Sequence, residues 1–246
     1  LNYCISDDDA MDAIACLSIK PTGEGKIDAC GLNGHQFAMQ RFAHNDLHAL
    51  LPADGILIQK KYLGELKKWL GDSEVELSLG EKRLFFRSND KKETFSLPLS
   101  SYQYPDYQGF LSKLNGDGIS TLNIERKEVA EKLDRLLLFN TESNRCTFFD
   151  LSQAAGGEIV LSATGQNNGS GTEFIPVEYS GSMDKIAFPT RNLIEILSNY
   201  QSKGLKLVLS GSAGPCGIFG DDDPASTVPL MPMKIFDQTY YSEESV

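Results

Sequence analysis

The sequence lacks the features that would assign it to several large classes of protein. No run of about 18 apolar residues, the length that a membrane-spanning helix needs, occurs in its 246 residues. It also has no Gly-X-Y period, no sustained heptad and no long polar tract, which argues against collagen, coiled coil and disorder. We therefore expect a globular protein of one large or two ordinary domains, with no membrane partner. Because it starts at Leu1, we expect a piece of a longer polypeptide.

Cysteine and histidine are too few and too scattered for a disulfide framework or a zinc site. There are five cysteines without a C-x-x-C pair, and the three histidines do not fall beside them. We expect reduced thiols in a cytosolic protein, at Cys4, Cys16, Cys30, Cys146 and Cys216.

Catalytic motifs are missing as well. The sequence contains no G-x-x-x-x-G-K-S/T loop, no H-E-x-x-H and no G-x-S-x-G. Acidic runs at Asp7–Asp9 and Asp221–Asp223 are typical of solvated turns, although such runs also bind hard cations. We expect a non-catalytic protein with no cofactor and no metal. Two alternatives stay open: a metal-dependent phosphoesterase that uses the aspartates, and a non-catalytic β-rich ligand-binding domain pair.

Basic residues are outnumbered, with 23 lysines and arginines against 34 acids and a net charge of −11. Phosphate repels such a chain as a whole, but ten of the acids lie in three short stretches. The segment from Gln59 to Leu70 has the opposite balance, with four lysines and one glutamate. It is either a solvated helix face or a surface for non-specific contacts to nucleic-acid phosphates.

One stretch of the sequence is repeated at an offset of 130 residues. The matched pairs are Ile56 and Ile186, Lys61 and Arg191, Leu63 and Leu193, Glu65 and Glu195, Leu66 and Ile196, and Val75, Leu77 and Leu79 with Leu205, Leu207 and Leu209. The repeat predicts two copies of one domain, each with a short strand, a helix and alternating strands.

The helix of each copy is predicted to bury one apolar stripe and to end at a glycine, Gly71 or Gly204. The stripes are Leu63, Leu66, Trp69 and Leu70 in the first copy and Leu193, Ile196 and Leu197 in the second. A further helix is predicted from Glu125 to Phe139, after a linker at Lys113–Gly118. The fold class is therefore α+β, with antiparallel sheets and more strand than helix.

Two segments have ambiguous patterns. Ser6 to Asp12 fits a capped helix start, whereas the alternation through Ser18 fits a strand. The segment from Val228 to Ile235 fits a final core strand, which its prolines would confine to a sheet edge. Its two methionines also fit an adaptable groove for a partner.

Three motifs resemble those of the bacterial sliding clamps, the beta subunits of DNA polymerase III. Asn33–Ala38 (N-G-H-Q-F-A) resembles the family's D-G-H-R-L-A, Tyr104–Tyr107 (Y-P-D-Y) its F-P-D-Y, and Met231–Ile235 (M-P-M-K-I) its terminal M-P-M-R-L. The order and separation of the motifs also agree, from Leu1 to Ile235. The resemblance recasts residues 10–19 as a strand.

The resemblance implies tandem clamp domains, with antiparallel sheets outside and helices lining a central hole, in a fragment of a six-domain dimeric ring. The central clamp domain would span residues 1–115, without its first helix, the C-terminal domain 116–235 and a tail 236–246. The ring would encircle double-stranded DNA and tether the replicative polymerase, with no chemistry of its own. Implied partners are the polymerase catalytic subunit, the clamp loader, other proteins with clamp-binding motifs and, at full length, a second copy. The implied location is the bacterial cytoplasm, at the nucleoid during replication.

The resemblance also implies two sets of site residues. The residues expected to face DNA are Lys60, Lys61, Lys67, Lys68, Arg126, Lys132 and Arg191. The residues expected in a partner-peptide groove are Ile14, Leu32, Gly34, His35, Gln36, Phe37, Pro105, Phe110, Ala213, Pro215, Met231, Pro232, Met233, Lys234 and Ile235. Gln36 and Gly109 stand where the family has arginines, so acidic flanks of a peptide are expected to count for less.

The tail from Phe236 to Val246 has two interpretations. It is either a disordered acidic terminus or, through Gln238, Tyr240 and Tyr241, a weak ligand of the groove next to it.

Overall fold

A computed structural model describes residues 1–8, 13–34, 36–71, 74–142, 144–165 and 169–235. The first copy of the repeat contains seven strands and three helices. They are β1 (Cys16–Pro21), β2 (Lys26–Leu32), β3 (Phe37–Ala43), α1 (Asn45–Leu50), β4 (Ile56–Gln59), α2 (Lys60–Leu70), β5 (Val75–Leu79), β6 (Arg83–Ser88), β7 (Thr94–Pro98) and α3 (Gln108–Ser112).

In its described residues, the second copy contains nine strands and two longer α-helices. They are β8 (Ser120–Glu125), α4 (Arg126–Leu136), β9 (Cys146–Asp150), β10 (Glu158–Gly165), β11 (Gly169–Pro176), β12 (Glu178–Ser180), β13 (Lys185–Pro189), α5 (Thr190–Asn199), β14 (Gly204–Leu209), β15 (Cys216–Gly220) and β16 (Ser226–Leu230). The paired strands in the described residues are antiparallel, as the period-two alternation predicts.

The strands form three sheets. A nine-stranded sheet has the order β12-β8-β14-β15-β16-β3-β2-β1-β4 and therefore runs through both copies. A four-stranded sheet, β11-β10-β9-β13, belongs to the second copy, and a three-stranded sheet, β5-β6-β7, belongs to the first. The two copies are thus joined by backbone pairing between β16 and β3.

The predicted repeat is confirmed in the order of elements. The strand–helix–strand unit β4-α2-β5 recurs as β13-α5-β14, and both helices begin 130 residues apart, at Lys60 and Thr190. α2 ends at Gly71 as predicted, where a φ of 52° suits a residue without a Cβ.

The predicted end of the second helix is wrong. α5 ends at Asn199, and Gly204 is the first residue of β14. Tyr200 leaves the helix at this point because its ring is buried and its hydroxyl donates to the Ile218 carbonyl oxygen at 2.6 Å. The guanidinium of Arg126 donates to the carbonyl of Leu197, which satisfies a group in the last turn.

The helix predicted over Glu125–Phe139 is confirmed as α4 followed by a 3-10 turn, Leu137–Phe139. Glu125 caps it, since its carboxylate accepts the amides of Lys127 and Glu128. Val129, Leu133 and Leu136 are the buried stripe of this helix.

The strand predicted over residues 10–19 is only partly correct. β1 begins at Cys16 and continues to Pro21, residues 13–15 form a helical turn, and residues 10–12 lie outside the described part of the chain. The edge position predicted for the strand at Val228 is wrong as well, because β16 has β15 on one side and β3 on the other.

Candidate functional site

A proline interrupts the ladder that joins the two copies. β16 pairs with β3 at Ser226 and Gln40 and at Thr227 and Met39, and the same register resumes at the bridge between Leu230 and Gln36. Between these points stands Pro229, which has no N–H to donate to the facing strand. The interruption places a gap in the sheet at the boundary between the copies.

A small apolar cavity of about 180 Å³ lies at this gap. Its wall includes the stacked rings of Phe37 and Tyr107, whose centroids are 5.3 Å apart. The full lining is Leu32, Gly34, Gln36, Phe37, Tyr104, Pro105, Asp106, Tyr107, Phe110, Pro229 and Met231.

A larger cavity of about 950 Å³ adjoins the first, since both are lined by Gly34 and Met231. Its other lining residues are Asn140, Thr141, Glu142, Arg145, Pro189, Arg191, Asn192, Pro232 and Met233. The Met233 amide donates to the Ala187 carbonyl oxygen at 2.8 Å, which holds the segment after β16 against β13. Together the two cavities form one groove, which we call the junction groove.

The two methionines of the junction groove are exposed, unlike the strand that precedes them. Met231 is 38 % and Met233 is 40 % exposed, whereas Val228 and Leu230 are buried in the core. The Val228–Ile235 segment therefore divides: the strand is core as far as Leu230, as the core-strand interpretation predicts, and the methionines after it line the junction groove. That this groove binds a partner stays a prediction.

Nine of the predicted groove residues line the junction groove. They are Leu32, Gly34, Gln36, Phe37, Pro105, Phe110, Met231, Pro232 and Met233. Five others, Ile14, Ala213, Pro215, Lys234 and Ile235, are not among the residues that line either cavity. His35 lies outside the described residues.

The structure adds groove residues that the sequence interpretation missed. In the smaller cavity these are Tyr104, Asp106, Tyr107 and Pro229, of which the first three belong to the Y-P-D-Y motif, where only Pro105 was selected. In the larger cavity, seven further residues come from the segment before β9 and from the start of α5, and no sequence motif predicted that they lie near Met231. They are Asn140, Thr141, Glu142, Arg145, Pro189, Arg191 and Asn192.

Tyr107 is held in place by a buried carboxylate. Its hydroxyl donates to Asp28 Oδ2 at 3.1 Å, and Arg41 donates to both carboxylate oxygens of Asp28 at 2.6 and 2.8 Å. Asp28 is fully buried, so this paired geometry offsets the cost of removing its charge from water. Burial raises the pKa of Tyr107, which keeps the phenol protonated and able to donate.

Gln36 links the groove to the helix of the other copy. Its Nε2 donates to Glu195 Oε2 on α5 at 3.2 Å, and its backbone amide donates to Asn33 Oδ1 at 3.0 Å. The carboxylate of Glu195 fixes which end of the amide faces it, because only the NH₂ group can donate. Gln36 thus contacts the other copy at the base of the groove through its Nε2.

The basic residues expected to face DNA fall into three environments. Lys61, Lys67 and Lys68 are exposed on α2. Lys60, by contrast, forms an ion pair with Asp7 at 2.7 Å and donates to the Ile5 carbonyl.

The remaining three basic residues are used elsewhere in the fold. Arg126 donates to the carbonyls of Ser202 and Leu197. Lys132 pairs with Glu128 at 2.6 Å and donates to the Phe174 carbonyl. Arg191 lines the larger cavity of the junction groove. A DNA-facing role for Arg126, Lys132 and Arg191 therefore stays a prediction, and the structure shows only that the first two contact groups of the chain itself and that Arg191 lines the groove.

One carboxylate of each acidic run has a protein partner. Asp7 pairs with Lys60, and Asp222 accepts a hydrogen bond from the Ser202 hydroxyl. Over the described ranges, no three histidine, cysteine or acidic side chains converge in a way that could hold a metal ion. Asp9 lies outside those ranges. No helix of the described chain is long and apolar enough to cross a bilayer.

Comparisons with known proteins give consistent results. No protein-family profile matches the chain. The beta sliding clamp of Pseudomonas putida is 27 % identical over 218 residues, which cover 85 % of this chain and 55 % of that protein. The beta sliding clamp of Chlamydia muridarum is 30 % identical over 139 residues, 56 % of this chain and 36 % of that one. The chain spans about half the length of the first of these relatives.

Solved structures share the fold over nearly the whole chain. The DNA polymerase sliding clamp of Pseudomonas aeruginosa, solved with a ligand, superposes with a TM-score of 0.81 at 22 % identity, over 95 % of this chain and 62 % of that one. The sliding clamp of Caulobacter crescentus gives a TM-score of 0.83 at 19 % identity, over 95 % and 61 %. In sequence and in fold, this chain is similar to the bacterial beta sliding clamps.

Proposed function

We propose that this chain is the part of a sliding clamp that carries the partner-binding groove, and that the complete protein encircles duplex DNA and confers processivity on the replicative polymerase. The observation that carries the proposal is the junction groove. It is apolar where β16 meets β3, it lies between two copies of one domain, and its two methionines are exposed although the preceding strand is core.

The groove is suited to a short extended peptide with bulky apolar residues. The smaller cavity offers the aromatic wall of Phe37 and Tyr107 as a site for one anchor side chain. The larger one offers the flexible side chains of Met231 and Met233, which adapt to different apolar groups. Ile14, His35, Ala213, Pro215, Lys234 and Ile235 remain part of the proposed groove, as positions that a bound peptide would reach beyond the two cavities.

The test is to replace both methionines by alanine and titrate a fluorescein-labelled peptide that contains glutamine, leucine and phenylalanine, by anisotropy. Loss of two central anchors should weaken binding by about 1–3 kcal/mol. Folding should be retained because both side chains are exposed. Phe42, which is 36 % exposed on β3 and does not line either cavity, offers a matched control as Phe42→Ala. Unchanged affinity in a folded double variant would contradict the groove.

We propose that Lys61, Lys67 and Lys68 of α2 face the enclosed DNA, with weak contacts that let the ring slide. Lys60, Arg126, Lys132 and Arg191 are proposed to face DNA as well, although each also contacts the chain itself or lines the groove. The complete protein should be retained on circular duplex DNA and be lost after linearisation, since topology rather than affinity holds a ring. Equal loss from both forms would contradict enclosure.

We also propose head-to-tail assembly of two complete subunits. In the described residues β11 pairs with β10 alone, so its outer edge has no partner strand. Phe174 on β11 is 54 % exposed and the nearby Leu138 is 74 % exposed, which gives this edge an apolar character. Leu138→Asp with Phe174→Asp should shift the complete protein from dimer to monomer in light scattering, whereas a dimer that survives would place the interface elsewhere.

The domain limits follow the repeat: residues 1–115, 116–235 and a tail from 236 to 246, which lies outside the described residues. The proposed partners are the polymerase catalytic subunit, the clamp loader and other proteins with a clamp-binding motif, acting at the nucleoid of a bacterial cytoplasm. The clamp itself is proposed to be non-catalytic. The relatives are all sliding clamps, and none of them favours the phosphoesterase or the β-rich ligand-binding alternative.

A further inference from the structure

A further cavity, of about 570 Å³, lies within the first copy. Its lining includes Ser18 and Lys20 of β1, Gly55 just before β4, and the whole segment Ser100–Gln108. Part of that segment, Tyr104–Tyr107, also lines the junction groove, whereas the residues from β1 and β4 do not. We call this space the first-copy cavity, and its volume is in the range of ligand-binding sites.

The repeat shows which side chains are missing from this place. β1 pairs with β4 in the same register as β9 pairs with β13, at an offset of 130 residues. Ser18 therefore stands at the position of Phe148, and Gly55 stands at the position of Lys185. In the second copy Lys185 Nζ lies 5.0 Å from the centroid of the Phe148 ring, a cation–π contact. The first copy has neither the ring nor the ammonium group at these positions.

The missing lysine position has to be a glycine in the first copy. Gly55 has a φ of 76°, and a Cβ on it would lie 2.5 Å from the Ile19 carbonyl oxygen. Ser18 is 3 % exposed and contributes only a hydroxyl to the cavity lining. The space that a ring and a lysine side chain fill in the second copy is therefore open in the first.

The Ser101–Tyr104 segment offers unpaired backbone next to this space. The Ser100 amide donates to the Leu57 carbonyl oxygen at 2.9 Å, which anchors the segment to β4. Across the described chain, none of the next four amides, from Ser101 to Tyr104, donates to a protein acceptor. Unpaired backbone of this kind can pair with an added, extended peptide.

The charged residues in the lining favour a cationic ligand. They are Lys20, Asp54 and Asp106, so one positive and two negative charges give a net charge of −1. Asp106 Oδ1 accepts the Gln108 amide at 3.0 Å, and neither aspartate forms an ion pair within the described ranges. A ligand ammonium group would therefore meet carboxylates that no lysine or arginine already occupies.

We infer that the first-copy cavity binds an extended segment of a partner protein that has an aromatic residue and, two residues later, a lysine. These two side chains would supply the ring and the ammonium group that Phe148 and Lys185 supply in the second copy. Residues two apart lie on the same face of an extended strand, so one peptide can present both while its backbone pairs with Ser101–Tyr104. Tyr102, which is 47 % exposed, offers its ring as a contact for the aromatic side chain.

The experiment is an NMR titration of the ¹⁵N-labelled 246-residue chain with the peptide acetyl-Ser-Phe-Ser-Lys-Ser-amide. Shifts should concentrate on the amide signals of Ser101–Tyr104 and Gly55, with a dissociation constant of about 1 mM, since so short a ligand has few anchors. Peptides with glutamine for the lysine, or alanine for the phenylalanine, should bind about threefold to tenfold more weakly.

Variants of the chain test the position of the ligand. Ser18→Phe should abolish the shifts, because it fills the cavity as Phe148 fills the equivalent space. Asp54→Asn should weaken the lysine peptide and leave the glutamine peptide unchanged. Phe42→Ala, which removes an exposed ring outside the cavity lining, should change neither. Thermal unfolding shows whether each variant is folded, and Asp54→Asn decides the outcome if Ser18→Phe does not fold.

The absence of shifts at peptide concentrations up to about 10 mM would overturn the inference. So would unchanged binding to a folded Ser18→Phe chain, or equal weakening of both peptides by Asp54→Asn. Met231→Ala with Met233→Ala should leave this binding intact. A loss of binding in that double variant would assign the peptide to the junction groove and overturn the separate site, whereas failure here leaves the groove function standing.

Discussion

The two copies of the repeat share the register of strand, helix and strand but bury their helices to different depths. α5 buries Thr190, Leu193, Ile196 and Leu197, whereas α2 buries Leu66 alone and leaves Leu63, Trp69 and Leu70 half-buried. The second copy packs α4 against α5, and β8 extends its sheet beside β14. In the described residues of the first copy, α2 has no such partner helix and β5 pairs with β6 alone. The depth of burial therefore follows from the neighbours of a helix rather than from its own pattern.

The first copy, whose helix α2 is less buried, also contains a buried charged residue. Among the described residues, Asp28 is the one acidic or basic residue in the buried class, and it binds Arg41 and Tyr107 beside the groove. The second copy is built on a large apolar cluster that includes Phe149 and Phe188, whose rings meet edge to face at 5.3 Å. This division predicts a rigid second copy and a first copy whose order depends on a few specific contacts.

The strongest test of the comparison uses matched leucines. Leu193→Ala in α5 should lower the free energy of unfolding by about 2–5 kcal/mol, since it leaves a cavity in a closed core. Leu63→Ala, the same position in α2, should cost about 1–2 kcal/mol because solvent already reaches that side chain and part of its burial is missing. Urea unfolding of both variants measures the difference, and equal losses would contradict it.

The buried ion pair gives a smaller effect on stability and a local effect on the groove. Asp28→Asn keeps the shape but removes the charge that Arg41 and Tyr107 bind, so we expect a loss of about 1–3 kcal/mol, moderated because Arg41 is half-exposed. The wall formed by Tyr107 should loosen, and peptide binding should weaken by several-fold at most. Denaturant unfolding and peptide anisotropy check the two parts, with Asp54→Asn as the control for an exposed aspartate.

The alkylation rates of Cys30 in the first copy and Cys216 in the second measure how readily each copy opens locally. Burial raises the pKa of Cys30 to about 12 and also raises the pKa of Cys216, so at pH 8 both are protonated and poorly reactive in the folded state. Because the helix of the first copy is less deeply buried, we expect that copy to open locally more often. Cys30 should therefore be alkylated several-fold faster than Cys216. Iodoacetamide labelling followed by mass spectrometry measures the ratio. Equal rates would mean that the copies open together, and both thiols should react at once in denaturant.

The smallest effect concerns the exposed charge of the two helices. Lys61, Lys67 and Lys68 on α2 are exposed, with Lys68 in an exposed ion pair with Glu65 at 3.1 Å, whereas Lys132 and Arg135 on α4 pair with Glu128 and Glu173. In the complete protein, alanine at the three α2 lysines should reduce the slope of log affinity for DNA against log salt by at most about one unit per lysine. Alanine at Lys127, an exposed lysine of α4, should leave the slope nearly unchanged. The reverse pattern would move the DNA-facing surface to the second copy.

Much of the fold could be predicted from the residues because it depends on local periodicity. The apolar spacing in Arg126–Leu136 and the alternation in Val75–Leu79 each give the correct element, and the 130-residue offset gives the correct order of strand, helix and strand. The end of α5 could not be predicted, because Tyr200 leaves the helix for a core formed by distant strands and Arg126 caps it from 71 residues away.

The residues of the candidate site also fall into those that the sequence predicts and those that only the tertiary structure reveals. The motifs at Asn33–Ala38, Tyr104–Tyr107 and Met231–Ile235 determine by themselves that this chain resembles a clamp, and from them Gly34, Gln36, Phe37, Pro105 and Met231 are correctly assigned to the lining of the smaller cavity. Only the tertiary structure decides that Pro229 lies inside a sheet rather than at its edge, since the facing strand comes from the other copy. It also decides that Arg126 and Lys132 bind carbonyls of their own fold and that Arg145 and Arg191 meet beside Met231. A side chain's type fixes the charge it carries, whereas the partner for that charge is set by the pairing of strands that are far apart in the chain.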